Sequence, residues 1–179
     1  MSSTDPAAPP HLNDQLIGQG DAIFQLRTRP EINLAIDLMA AQARRSIRIV
    51  TPDLEPEAYN RQLFIDLLAA FIREQSRHAR VQVLLKDPRR ALKETQRLVT
   101  FWHRFSSHCE LRELRAEWAD TREAFFMVDD RALIRQPDIE DPLTIVNFNA
   151  LPAAPERATW FEQAWNHAAP CTALRRLSL

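Results

Sequence analysis

The sequence predicts an α/β fold, a mixed, largely parallel sheet flanked by helices. Two observations carry this. Through the first half, short β-branched and leucine runs alternate with amphipathic stretches of helical period, the pattern of strand–helix–strand crossovers. In the second half, four short apolar runs follow one another closely, which fits strands added to the same sheet. At 179 residues, with 45% hydrophobic and 26% charged residues, the chain has the size and balance of one globular domain.

Residues 1–19 read as a disordered N-terminal tail and residues 20–179 as the domain. Met1 to Pro10 is rich in Ser, Pro and Ala and lacks the basic start and apolar centre of a signal peptide. Ile23 to Leu26 is a first strand. Pro30 stands where a helix tolerates it best, at its first position, and Ile32, Ile36, Met39 and Ala43 then recur at helical spacing over residues 30–46. Ile47 to Val50 is a strand, stopped by the Thr51-Pro52-Asp53-Leu54-Glu55-Pro56 loop. A helix over 58–77 follows, with Leu63, Leu67, Ala70 and Phe71 on one side. Val81 to Leu85 reads as a buried strand.

The Lys86-Asp87-Pro88-Arg89-Arg90 loop then leads into a helix over 90–106. Its apolar stripe is Ala91, Thr95, Leu98, Trp102 and Phe105. Strands are expected over 109–114, 124–128, 132–135 and 143–148, with a tight turn at Asp129-Asp130-Arg131. A last helix over 155–168 presents Ala158, Phe161, Trp165 and Ala168.

Charge is unevenly spread although the net value is −1. From Arg77 to Arg104 there are eight basic and two acidic residues, and from His108 to Pro170 twelve acidic and six basic. The basic stretch offers Lys86, Arg89, Arg90, Lys93 and Arg97 as anion-binding candidates. It follows a strand C-terminus, where open α/β sheets collect ligands. On that helix face no aromatic residues interleave with the basic ones, because Trp102 and Phe105 belong to the apolar stripe, which argues against specific nucleic-acid recognition.

Several chemistries fall away. The only glycines are Gly18 and Gly20, so no P-loop or dinucleotide fingerprint exists downstream. The two cysteines, Cys109 and Cys171, form no disulfide framework or Cys-rich metal spacing, which points to a reducing cytosol. His103 and His108 lie about 140° apart on a helix, so with Cys109 they make no metal set. No apolar run reaches the roughly 18–20 residues that span a bilayer. No cofactor is indicated.

One segment carries a resemblance. In Arg122-Glu123-Ala124-Phe125-Phe126-Met127-Val128-Asp129, a polar pair precedes a four-residue apolar strand that ends on an acidic turn, and Asn147-Phe148-Asn149 follows after a second strand. This resembles the phospholipase D superfamily motif, His-x-Lys, four residues, Asp, then Gly-Ser-x-Asn. More narrowly, Thr51-Pro52-Asp53-Leu54, Lys86 to Arg90, Phe105-Ser106-Ser107 and Leu174-Arg175-Arg176-Leu177 are similar to phrases in proteobacterial proteins with one phospholipase-D-like half. The resemblance covers roughly residues 20–179.

The resemblance implies that Arg122 stands at the nucleophilic histidine's position and Ala124 at the phosphate-binding lysine's. Asp129 and Asn149 are kept, and Asn147 replaces the serine. An arginine has no free lone pair with which to attack phosphorus, so the resemblance implies a pseudoenzyme. Arg122 is then a further anion-binding candidate, as a fixed cation with a bidentate fork. The implied module binds a protein partner or an anionic ligand and pairs with a second copy of itself, because superfamily sites form between two halves. Alternatives are a divergent phosphodiesterase, an accessory domain beside an acyltransferase, and a nucleic-acid or anionic-surface binder.

Overall fold

The computed structural model describes residues 11–172. Strand β1 (Ile23–Leu26) and helix α1 (Arg29–Ala41) precede β2 (Ser46–Thr51), followed by α2 (Pro56–Tyr59), α3 (Gln62–Glu74) and β3 (Arg80–Leu85). Then come α4 (Pro88–Glu94), α5 (Gln96–Arg104), β4 (Cys109–Glu113), α6 (Ala116–Ala119), β5 (Ala124–Val128), β6 (Ala132–Gln136), β7 (Thr144–Asn147), α7 (Ala153–His167) and β8 (Ala169–Pro170).

These strands form one mixed sheet in the order β1-β7-β6-β5-β2-β3-β4-β8. The crossovers of the first half make β2, β3 and β4 parallel, as the alternation predicts. The other pairings are antiparallel, so parallel pairing is confined to three strands and takes a smaller share of the sheet than expected. Two apolar layers cover it. On one face Ile36, Met39, Phe64, Leu68 and Leu98 pack against Ile49, Val83 and Phe126. On the other, Ala154, Ala158, Phe161 and Trp165 of α7 cover Val50, Leu84, Phe125 and Met127. Consecutive residues of β5 thus serve opposite layers, and all five are buried.

Two expected helices are each broken, and the breaks support one another. Arg61, in an extended conformation, ends the 58–77 segment's first turn. Its guanidinium makes a bidentate pair with Asp37 of α1 at 2.7 and 2.8 Å and donates to the Ala58 carbonyl. Thr95 breaks the 90–106 segment, with its hydroxyl spent on the Ala91 carbonyl. Asn60 then reaches across and accepts from the Leu98 N–H at 3.2 Å, satisfying a donor in the first turn of α5. The stripe of α3 is only partly the one expected. Phe71 is buried and Leu67 and Ala70 are partly buried, but Phe64, Ile65, Leu68 and Ile72 are buried too while Leu63 faces solvent, because this helix is apolar on most sides and its period alone does not fix the inward face.

Residues 11–19, expected to belong to a disordered tail, are joined to the domain. Ile17 N–H donates to the Gln42 side chain, Gln42 donates back to the Gln15 carbonyl, and Gly18 N–H donates to the Phe148 carbonyl. Gly18 has a φ of 82°, a conformation that favours glycine. Residues 1–10 and the Leu174–Leu177 phrase lie outside the described residues.

Asp129 and Asp130 turn β5 into β6 with φ values of 55° and 53°, which aspartate tolerates better than most side chains. The Asp129 carboxylate accepts from the backbone N–H groups of Arg44, Arg45 and Ser46 at 2.9, 2.7 and 2.9 Å. Replacing it by alanine strands these donors and strains the turn. Asp129→Ala is therefore expected to lower stability by about 2–3 kcal/mol, read as a shifted urea midpoint at unchanged slope.

Candidate functional site

The C-terminal edge of the parallel strands gathers most of the chain's polar chemistry. Thr51 ends β2 and Lys86 follows β3. Because β5 runs antiparallel to β2, its approach, Arg122 to Ala124, arrives at the same edge. This is the place where an open α/β sheet leaves room for a ligand.

Of the five motif positions, the structure brings two to this edge and three to the opposite one. Arg122 and Ala124 lie at the C-terminal edge. Asp129 holds the start of β2 at the other end. Asn147 and Asn149 are with it, since β7 runs in the direction of β5. Asn147 accepts from the Asn149 N–H, and the Asn149 side chain donates to the Gly20 carbonyl and accepts from Arg131 at 2.7 Å. These three residues make loop contacts. They share no cleft with Arg122.

The guanidinium of Arg122 is engaged. It meets both carboxylate oxygens of Asp138, the shortest contact being 2.7 Å, and Glu140 at 2.8 Å. The hydrogen bond to Asp138 comes first among the effects that hold Arg122 protonated beyond its ordinary range. The Glu140 N–H and then Arg122 keep Asp138 below the usual carboxylate range. Lys86 donates to the Thr121 carbonyl, and burial lowers its pKa. Arg90 pairs with Asp53 at 3.0 Å. Glu123 takes Arg157 at 2.6 Å and Arg135 at 3.4 Å. At this edge, therefore, most cations already have carboxylates.

Beneath the edge lies a cavity of about 220 Å³, lined by Arg27, Arg29, Thr51, Glu55, Tyr59 and Ala124 together with apolar side chains of α1, β5 and β6. Ala124, at the position resembling the superfamily lysine's, is part of its wall. Burial raises the pKa of the half-buried Glu55. Burial and then the Glu55 charge raise that of Tyr59, so its phenol stays protonated. The sequence reading missed Arg27, Arg29, Glu55 and Tyr59. Their signal was positional, because Glu55 and Tyr59 follow the Thr51-Pro52 stop at a strand C-terminus.

The basic helical segment divides. Arg89 and Lys93 are exposed on α4. Arg97 joins Arg104 of α5 and Arg73 of α3, which the sequence reading did not include, around a groove of about 320 Å³ floored by Ile65, Ala69, Phe101 and Phe105, with Asp66 also in its wall. None of these five cations has an ion pair among the described residues; Arg104 lies over the Phe105 ring.

Other candidates carry less. Among the described residues no three His, Cys, Asp or Glu side chains are placed to hold a metal ion. His108 contacts Ser107 and the Ser76 carbonyl, and burial pushes the Cys109 thiol up to about 12. Trp118 is partly buried against Trp160 and stacked on His167. No described helix is long and apolar enough to cross a membrane.

Comparison with known proteins places the fold. The archaeal chromatin protein TrmBL2, described as having a novel mode of DNA binding, superposes with a TM-score of 0.60 at 12% identity, over 84% of this chain and 54% of that one. NucT from Helicobacter pylori matches at 0.53 and 9% identity, over 83% of this chain and 97% of that one. Nuc from Salmonella typhimurium, a phospholipase D family member, matches at 0.54 and 12%, over 83% and 95%. This chain spans about half the length of the chromatin protein and nearly all of the other two. No curated protein matches. The fold is phospholipase-D-like, as the motif resemblance implied, and with residues 28–177 matching its model, the chain belongs to the family described as domain of unknown function DUF7931.

Proposed function

We propose that this chain is a non-catalytic phospholipase-D-like module that binds an anionic partner through its α4–α5 side. The observation that carries this is a contrast in electrostatics. At the strand edge, Arg122 is held by Asp138 and Glu140 and Ala124 supplies no charge. On the helical side, Arg73, Arg97 and Arg104 border an apolar-floored groove whose one carboxylate, Asp66, accepts from Gln62 and makes no ion pair with them among the described residues. A protonated guanidinium already bound by two carboxylates neither attacks phosphorus nor receives a phosphate. Unpaired arginines around a groove favour an anion, with an attraction that salt weakens.

Pairing with a second copy belongs to this reading. It is supported by the resemblance to a superfamily whose halves pair, and by β1, an edge strand with one open side and an exposed Ile23. DNA binding, as described for TrmBL2, is a second reading favoured by the same unpaired arginines. A phosphodiesterase or an acyltransferase accessory has no residue in the cleft that supports it above these.

Three outcomes are expected. First, bis(p-nitrophenyl) phosphate is not hydrolysed above the rate without protein; turnover that vanishes in Arg122→Ala would overturn the non-catalytic reading. Second, the protein is retained on heparin at low salt despite its net charge of −1, and the double variant Arg97→Glu/Arg104→Glu elutes earlier. Passage of the unaltered protein without retention removes the anion reading, while equally salt-sensitive retention on duplex DNA selects the second one. Third, light scattering gives twice the chain mass; a monomer at high concentration removes the pairing.

A further inference from the structure

We infer that the cavity beneath the strand edge is a binding site for a small zwitterion, a molecule with a carboxylate and an ammonium group a few bonds apart on a short apolar frame. The site is separate from the α3–α5 groove and does not rest on the anionic-partner reading.

Size and walls come first. About 220 Å³ is the share of roughly seven waters in the liquid, enough for an amino acid with a small side chain. Ile32, Ile36, Phe126 and Ile134 provide the apolar lining. Apolar side chains and converging polar groups thus share the walls, as a small molecule with both characters requires.

The charges then select the ligand. Three ionic side chains line the cavity, and one is already engaged: Arg27 pairs with Asp141 at 3.1 Å. The remaining two are Arg29 and Glu55. Arg29 has only a long contact to Glu57, at 3.8 Å, on the exposed side. Glu55 has no ion pair among the described residues; it accepts from the Thr51 hydroxyl at 3.5 Å and from its own backbone N–H.

Arg29 and Glu55 both line the same cavity without meeting each other. A simple anion entering here would face Glu55, and a simple cation would face Arg29. A molecule carrying both signs satisfies both groups at once.

Tyr59 supplies the third point. Its side chain is only 6% exposed, lines the cavity, and its hydroxyl has no hydrogen-bond partner among the described residues. That hydroxyl is available to donate to a ligand oxygen. Burial raises the pKa of Glu55 although the Arg29 charge lowers it, and an ammonium group beside the carboxyl would lower it further. Ala124 leaves the space open: a lysine there would carry its own cation into the cavity toward Glu55 and occupy the ligand's volume.

The test is thermal-shift and calorimetric titration of the full chain with glycine, L-valine and 4-aminobutanoate, which vary the charge spacing and frame. Each is set beside analogues lacking one charge, such as 3-methylbutanoate and 2-methylpropylamine for L-valine. At least one zwitterion is expected to raise the melting temperature at about 10 mM, with either single-charge analogue binding about tenfold more weakly. Arg29→Gln and Glu55→Gln should each weaken binding by a similar factor, Ala124→Lys should abolish it, and all three should keep the circular dichroism spectrum and heparin elution of the parent. The inference is overturned if no zwitterion shifts the transition, if a single-charge analogue binds as tightly as its parent, or if the two glutamine variants bind normally. Should Ala124→Lys fail to fold, the glutamine variants still decide. Loss of heparin retention in the parent alone would bear on the anionic-partner reading and leave this one standing.

Discussion

The carboxylate of Asp129 fixes the frame on which everything at the strand edge depends. By accepting three successive backbone N–H groups from Arg44, Arg45 and Ser46, it locks the end of β5 to the start of β2. A slip of one residue would exchange the two faces of β5. Phe126 would then leave the layer of α1 and α3, and Phe125 the layer of α7. With the register held at Ile49 opposite Phe126, the residues before β5 must emerge beside Thr51 and Lys86. Arg122, Glu123 and Ala124 owe their positions to an aspartate at the far end of the strand.

This arrangement explains what the sequence could and could not reveal. The alternation of strand and helix patterns located the elements because each buried stripe has a single period. It could not place the breaks at Arg61 and Thr95, which arise from side chains bonding to distant partners such as Asp37 and Leu98. Nor could it choose the inward face of α3, where apolar residues surround the helix. The motif resemblance drew Arg122, Ala124, Asp129, Asn147 and Asn149 together, but linear order did not show that β6 and β7 carry Asn147 and Asn149 to the edge opposite Arg122. The cavity residues were the hardest to foresee. Arg29, Glu55, Tyr59 and Ala124 come from three separate segments, and only the packing of α1 and α2 against the sheet assembles them.

Electrostatically the molecule keeps its opposite charges partly sorted. Acidic residues of the second half neutralise arginines at the strand edge and around α7, as Asp138 does for Arg122 and Glu123 for Arg157. Among the described residues, the helical side of the first half has no such ion pair at Arg73, Arg97 or Arg104. A nearly neutral chain thereby keeps three arginines unpaired around one groove.

Arg48 has one more consequence. It rises from the middle of β2, pairs with Asp130 at 2.7 Å and with Glu162 of α7 at 2.7 Å, and lies over the Phe161 ring. The same tight turn therefore holds β2 through Asp129 and α7 through Asp130. Loosening that turn releases the central strand and the covering helix together, so the two layers form a single cooperative unit and α7 does not peel away by itself.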